Sequence, residues 1–134
     1  MSIQFAPLDG STPPQPWLRY RGRVAVIEAS GIVDRRVESP LLVLAASAVS
    51  RGSATVVLNL SRARLDEGSI PILARMKECL GESAVGFAVA GQSRAARALL
   101  ERAQGELDLV LYPSVDAPAP WSSTNGNAVP HREW

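Results

Sequence analysis

Apolar and polar positions alternate with three different periods along this chain. Trp17-Leu18-Arg19-Tyr20-Arg21 has a partial two-residue alternation, Gly22 offers a turn, and Val24-Ala25-Val26-Ile27 is wholly apolar. Two strands joined by a tight turn are the expected result. Ser39-Pro40 resembles a helix start, with serine at the cap and proline at the first helical position. Leu41, Leu44, Ala45 and Ala48 then recur at helical spacing until Gly52, where the helix is expected to stop. Thr55-Val56-Val57-Leu58-Asn59-Leu60 reads as a strand covered on both faces, as in a sheet flanked by helices.

A second helix is predicted over about Ser69 to Leu80. Ser69, Leu73, Met76 and Leu80 share one stripe, with Ile70 beside it and Arg75 and Glu78 opposite. Val85 to Val89 is a further buried-type strand. Ser93 is placed to cap a third helix with Ala96, Leu99, Leu100 and Ala103 inward, ended by Gly105. Leu109 to Tyr112 is the last strand, stopped by Pro113. The order β-β-α-β-α-β-α-β predicts an α/β domain: a mixed, mostly parallel sheet with an opening hairpin and about three helices packed on it.

This periodic region runs from Trp17 to Ala117. Residues 1–16 are proline-rich, and residues 118–134 are rich in proline, serine and glycine, so both are expected to trail or lie on the surface. With 134 residues, 46% hydrophobic and 20% charged, the chain is long enough for one core. A formal net charge of +1 argues against a dedicated nucleic-acid binder. Thirteen of the fourteen cations are arginine, Lys77 being the one lysine. No apolar run reaches the ~20 residues of a membrane span, and Met1 to Gly10 shows no secretory pattern. One cysteine, Cys79, offers no disulfide framework and fits a reducing compartment. A cytoplasmic protein is the expectation.

Little in the sequence suits catalysis. No phosphate-loop, dinucleotide or nucleophile-elbow motif is present, and the one histidine, His131, lies in the C-terminal tail. One His and one Cys do not supply a metal site. Cys79 beside the apolar stripe reads as a small, partly buried hydrophobe. Arg19, Arg21 and Arg23 read as the charged guard of an edge strand. Trp121 and Trp134 in the tail are candidates to dock on the domain or a partner. Asp34, Asp66 and Glu67 are placed in loops at the carboxyl end of the sheet, where α/β proteins put their sites. They read either as an acid/base pair or as loop and cap residues paired with nearby arginines.

Three ordered stretches resemble the STAS domain of anti-sigma factor antagonists. Val24 to Asp34 is similar to the family's apolar strand ending in a G-x-[LV]-D turn. Val56-Val57-Leu58-Asn59-Leu60-Ser61 with Leu65-Asp66-Glu67-Gly68-Ser69-Ile70 is similar to its V-L-[DN]-L-S strand and D-S-[ST]-G-L helix start. Val89 to Ser93, the Leu99-Leu100 helix and Leu109 to Ala117 resemble its final strand and proline-terminated ending. The resemblance implies a regulatory module, without catalysis or cofactor, that binds another protein. It implies a kinase-type anti-sigma factor that phosphorylates a serine or threonine at the helix start, a phosphate there adding about −1.5 to −2 charge. Two registers are open. With Asp66 on the motif's Asp, Gly68 takes the acceptor position and Ser69 that of glycine, leaving an unswitched adaptor or scaffold. Counted without a gap from Asn59, Ser69 is the phosphoacceptor candidate, but Pro71 and Arg75 then fall on apolar positions. Ser69, two residues before Pro71, also reads as a simple helix N-cap. The implied partner face is Asp34, Leu65, Asp66, Glu67, Gly68, Ser69, Arg75 and Glu78. Adaptors of a membrane transporter's ATPase, nucleotide or lipid sensors, and a homodimeric form are the alternatives.

Overall fold

A computed structural model describes residues 15–116 of the chain. The expectations for residues 1–14 and 117–134, including His131, Trp121 and Trp134, lie outside those described residues.

The opening hairpin forms from β1 (Trp17–Arg21) and β2 (Val24–Ile32), antiparallel, with Arg21 opposite Val24. Only Gly22 and Arg23 connect them, and Gly22 takes φ +59. A two-residue turn with glycine at positive φ in its first position matches the twist of the strands. A 3-10 turn (Arg35–Val37) leads into α1 (Glu38–Ser50). The remaining elements are β3 (Thr55–Arg64), α2 (Ser69–Glu82), β4 (Gly86–Ala90), α3 (Arg94–Arg102), the short α4 (Gln104–Leu107) and β5 (Val110–Tyr112).

The sheet order is β1-β2-β3-β4-β5, with β2 to β5 parallel. The mixed sheet with an opening hairpin is as predicted. β3 is buried on both faces, as expected, but the described helices lie on one of them only. Each parallel crossover advances one strand in the same direction, so crossovers of one hand collect the helices on a single face. The buried residues of the helices, among them Leu41, Ala45, Leu73, Met76, Leu80, Leu100 and Leu107, join one cluster with Ala25, Ile27, Val56, Leu58, Val89 and Leu111. Each fully buried Val or Leu there contributes roughly 1.5–3 kcal/mol. The other side of the sheet forms a separate cluster of Val24, Val26, Val57, Ala88, Ala90 and Tyr112. No helical residue belongs to it. Val115, just beyond β5, does, and Asp116 pairs with Arg21 at 2.6 Å.

β2 and β3 run on past the rest of the sheet. β4 stops at Ala90, opposite Asn59, while β3 continues to Arg64. The register shifts between Glu28 and Ser30, so that Leu60 and Ser61 of β3 stand against Ala29 alone. This bulge inverts the alternation of β3. Ala63 returns to the helix-side core, and Arg62 and Arg64 turn to the helix-free side with their partners Ser30 and Ile32.

Three local expectations are corrected. Ser39 does not cap α1, which begins at Glu38; the cap is Asp34, whose Oδ1 accepts from the Arg36 amide at 3.0 Å and starts the 3-10 turn ahead of the helix. Gly105 does not end the third helix. It sits inside α4, and the left-handed residue that stops the chain is Asp108 at φ 54. Cys79 is exposed, not partly buried, because it lies one position beyond the stripe that Met76 and Leu80 bury. Ser93 does cap α3, accepting from the Ala96 amide at 3.1 Å.

Candidate functional site

The carboxyl end of the parallel strands gathers the loop after β2 and the loop after β3. Both strands end in turns there, β2 at Val33-Asp34 and β3 at Leu65-Asp66. Ser69 ties the two loops together. Its hydroxyl donates to the Val33 carbonyl at 2.5 Å and accepts from the Asp66 amide at 2.9 Å, and the residue is 0% exposed. The expected N-cap role is therefore not the one observed. Ser69 is the first residue of α2 and caps none of its amides; the residue before it, Gly68, occupies the cap position without a side chain. Asp66 instead closes the turn ahead of the helix, its Oδ1 accepting from the Gly68 amide at 2.9 Å. A carboxylate at a helix start is favoured by the helix dipole as well.

Asp34, beside Val33, is held by Arg36. Its Oδ1 accepts from the Arg36 amide and Nε, and its Oδ2 faces the guanidinium at 3.2 Å. The Arg36 side chain first, and its amide second, hold the Asp34 carboxyl below the usual aspartate range. Glu67 is exposed and leans the other way, 3.6 Å from Arg102 of α3. That pair borders an open cleft of about 440 Å³, lined also by Ile70, Pro71 and Leu99. Leu65 is half-buried against the helix-side core. Further along α2, Arg75 reaches Glu38 at the start of α1 at 3.1 Å, and Glu78 is exposed.

The structure thus brings Asp34, Leu65, Asp66, Gly68 and Ser69 to one edge, with Arg75 and Glu78 continuing from it along α2. Glu67 stands at the border. The three carboxylates do not converge as an acid/base pair would require. Asp34 is turned to Arg36, Asp66 to a backbone amide and Glu67 to Arg102. Among the described residues, no group of three or more His, Cys, Asp or Glu is placed to hold a metal. No helix among them is long and apolar enough to cross a membrane. What the edge offers is a rigid, mixed-charge surface whose two loops are locked by one buried hydroxyl.

Three residues carry structure that the sequence did not signal. Gln92, directly after Gly91 at the end of β4, is 5% exposed, and neither Oε1 nor Nε2 has a hydrogen-bond partner among the described residues. Gly91 itself, at φ +73, lies so close to Asn59 that a Cβ would stand 2.6 Å from its Oδ1. Lys77, the one lysine, donates to the Leu107 and Asp108 carbonyls at 2.6 and 2.9 Å and so holds the end of α4 against α2.

No family profile matches the chain, and no curated protein matches its sequence. Solved structures do match. An anti-sigma factor antagonist from Mycobacterium paratuberculosis is 25% identical, with a TM-score of 0.63 over 75% of this chain and 86% of its own. SpoIIAA, an anti-sigma factor antagonist, in its unphosphorylated form is 18% identical, with a TM-score of 0.55 over 66% of this chain and 79% of its own. The Bacillus cell fate determinant SpoIIAA in its phosphorylated form is 16% identical, with a TM-score of 0.53 over 72% of this chain and 89% of its own.

Proposed function

We propose that this chain, which has the STAS fold of the anti-sigma factor antagonists, is a regulatory module that acts by binding another protein and is not switched by phosphate at Ser69. The reading rests on one observation. The Ser69 hydroxyl is fully buried and engaged by both Val33 and Asp66, so a kinase would have to unlock both loops to reach it. Gly68 is the exposed residue at the cap of α2 and has no hydroxyl to modify. The arrangement supports the register in which Asp66 matches the motif's aspartate and Gly68 holds the acceptor position. In that register the binding face stands in one state at all times, as a constitutive adaptor requires.

The partner face comprises Asp34, the Leu65 to Ser69 loop, and Arg75 and Glu78 on α2. Its partner is a kinase-type anti-sigma factor or another protein that recognises this fold. The test is titration calorimetry of the phosphate-free chain against the kinase-type anti-sigma factors of its host. Saturable binding that Glu78→Arg or Asp34→Arg weakens by about tenfold or more, some 1.4 kcal/mol, supports the reading. Binding that those changes leave untouched places the interface elsewhere. Transfer of phosphate to Ser69 contradicts the unswitched reading.

A further inference from the structure

The projecting β2–β3 ribbon has a second surface, on the side away from the helices and away from the face just described. The bulge at Leu60 and Ser61 turns Arg62 and Arg64 to that side, opposite Ser30 and Ile32. The two arginines stand on the same face of one strand, about 7 Å apart along it. Both are exposed, and neither guanidinium has an ion-pair or hydrogen-bond partner among the described residues. Arg35, at the end of the same ribbon, is exposed and unpaired as well. The two nearest carboxylates are spent. Glu28 accepts from Arg19 at 2.8 Å and from Asn59 at 2.9 Å, and Asp34 is held by Arg36. Trp17, register partner of Glu28, lies 52% exposed on this side of the sheet. Ile32 is half-buried beside Arg64.

This arrangement is not what packing alone requires. Seven of the chain's described cations are in ion pairs, so a cluster of three unpaired ones at one end is a local excess. A guanidinium binds carboxylate through two parallel hydrogen bonds, and tryptophan and arginine are the side chains that dominate protein interfaces. We propose that the side of the ribbon away from the described helices, with Arg62, Arg64, Ile32 and Trp17, is a second docking surface, and that it takes an acidic segment of a partner protein. Carboxylates about 7 Å apart on that segment meet Arg62 and Arg64, and an apolar side chain between them rests on Ile32. Protein is favoured over nucleic acid by the apolar pair and by the overall charge of only +1. The surface does not depend on the α2 face being correctly assigned.

The test uses the full chain and a short fluorescein-labelled peptide of alternating glutamate and leucine, read by fluorescence anisotropy at low salt. Saturable binding is expected, weakened about tenfold or more in the Arg62→Glu, Arg64→Glu double variant. Rising salt weakens it too, as screening of exposed charge requires. A matched double reversal elsewhere, Arg23→Glu with Arg97→Glu, is expected to change it less than twofold. Arg62→Gln with Arg64→Gln, checked by circular dichroism, serves if the reversal unfolds the chain. Equal binding of the glutamine counterpart of the peptide, equal loss in the matched control, or no saturable binding overturns the proposal. So does a single-stranded oligonucleotide that binds more tightly through the same two arginines.

Discussion

The hydroxyl of Ser69 donates to the carbonyl of Val33 across 2.5 Å, fastening the first turn of α2 to the first residue after β2. The same oxygen accepts from Asp66, so one buried atom closes a bridge between two loops that are 36 residues apart in the chain. Ser69→Ala leaves the Val33 carbonyl and the Asp66 amide without their partner. An orphaned buried polar group costs roughly 1–3 kcal/mol, and in a domain of this size each kcal/mol is worth about 4–8 °C of Tm. Differential scanning calorimetry should show that loss. An unchanged Tm would mean that the hydroxyl ties nothing.

Gly68→Ser places a hydroxyl where the surface is open. Gly68 has φ −73, which any residue adopts, and its Cβ would stand 3.3 Å from Asp66 Oδ1. Stability should change by no more than about 0.5 kcal/mol, as for most surface substitutions. Incubated with a kinase-type anti-sigma factor and ATP, the variant should gain phosphate at position 68 while the natural chain gains none. Mass spectrometry reads both. Phosphate on the natural chain at Ser69 would reverse the assignment.

Asp34 gives the site a pH dependence with a definite sign. Arg36 lowers its pKa in the folded state, so the fold favours the charged carboxylate. That contribution is present above the ordinary aspartate value, about 3.9, and is lost as the pH falls through the lowered one. Urea titrations should find Asp34→Asn less stable than the natural chain at pH 7, with the gap closing as the pH drops below about 4. A gap that widens on acidification would contradict the Arg36 contact.

Gln92 is a buried amide with nothing to bond among the described residues. Replacing it with an apolar side chain of similar length removes the desolvation cost. Gln92→Met should raise the midpoint of denaturation, by roughly 1 kcal/mol. A clear loss of stability would show that the amide is satisfied in solution.

The strands were legible because the runs Val24–Ile27, Thr55–Leu60 and Val85–Val89 are almost wholly apolar, and the helices because Leu41, Leu73 and Leu100 recur with their stripes. The gathering of the described helices on one face of the sheet was not legible. A wholly apolar strand looks the same whether helices or other chain lie on its second face, and the order of strands decides between them. The extension of β3 to Arg64 was hidden as well, since the bulge at Leu60 and Ser61 breaks alternation and makes Ser61-Arg62-Ala63-Arg64 read as loop. Ser39-Pro40 has the composition of a helix start, yet Asp34 had already begun the turn five residues earlier. At the candidate site, sequence brought Asp34, Asp66 and Ser69 to one edge through the strand order alone. The inward turn of the Ser69 hydroxyl depends on the Val33 carbonyl, a partner that no local pattern names.

In the proposed function this protein engages another protein without covalent modification. Native mass spectrometry of the full chain mixed with a kinase-type anti-sigma factor and ATP tests that directly. The expected result is a complex in which the chain keeps its unmodified mass, before and after the nucleotide is spent. A chain that gains one phosphate at Ser69 and leaves the complex would contradict it.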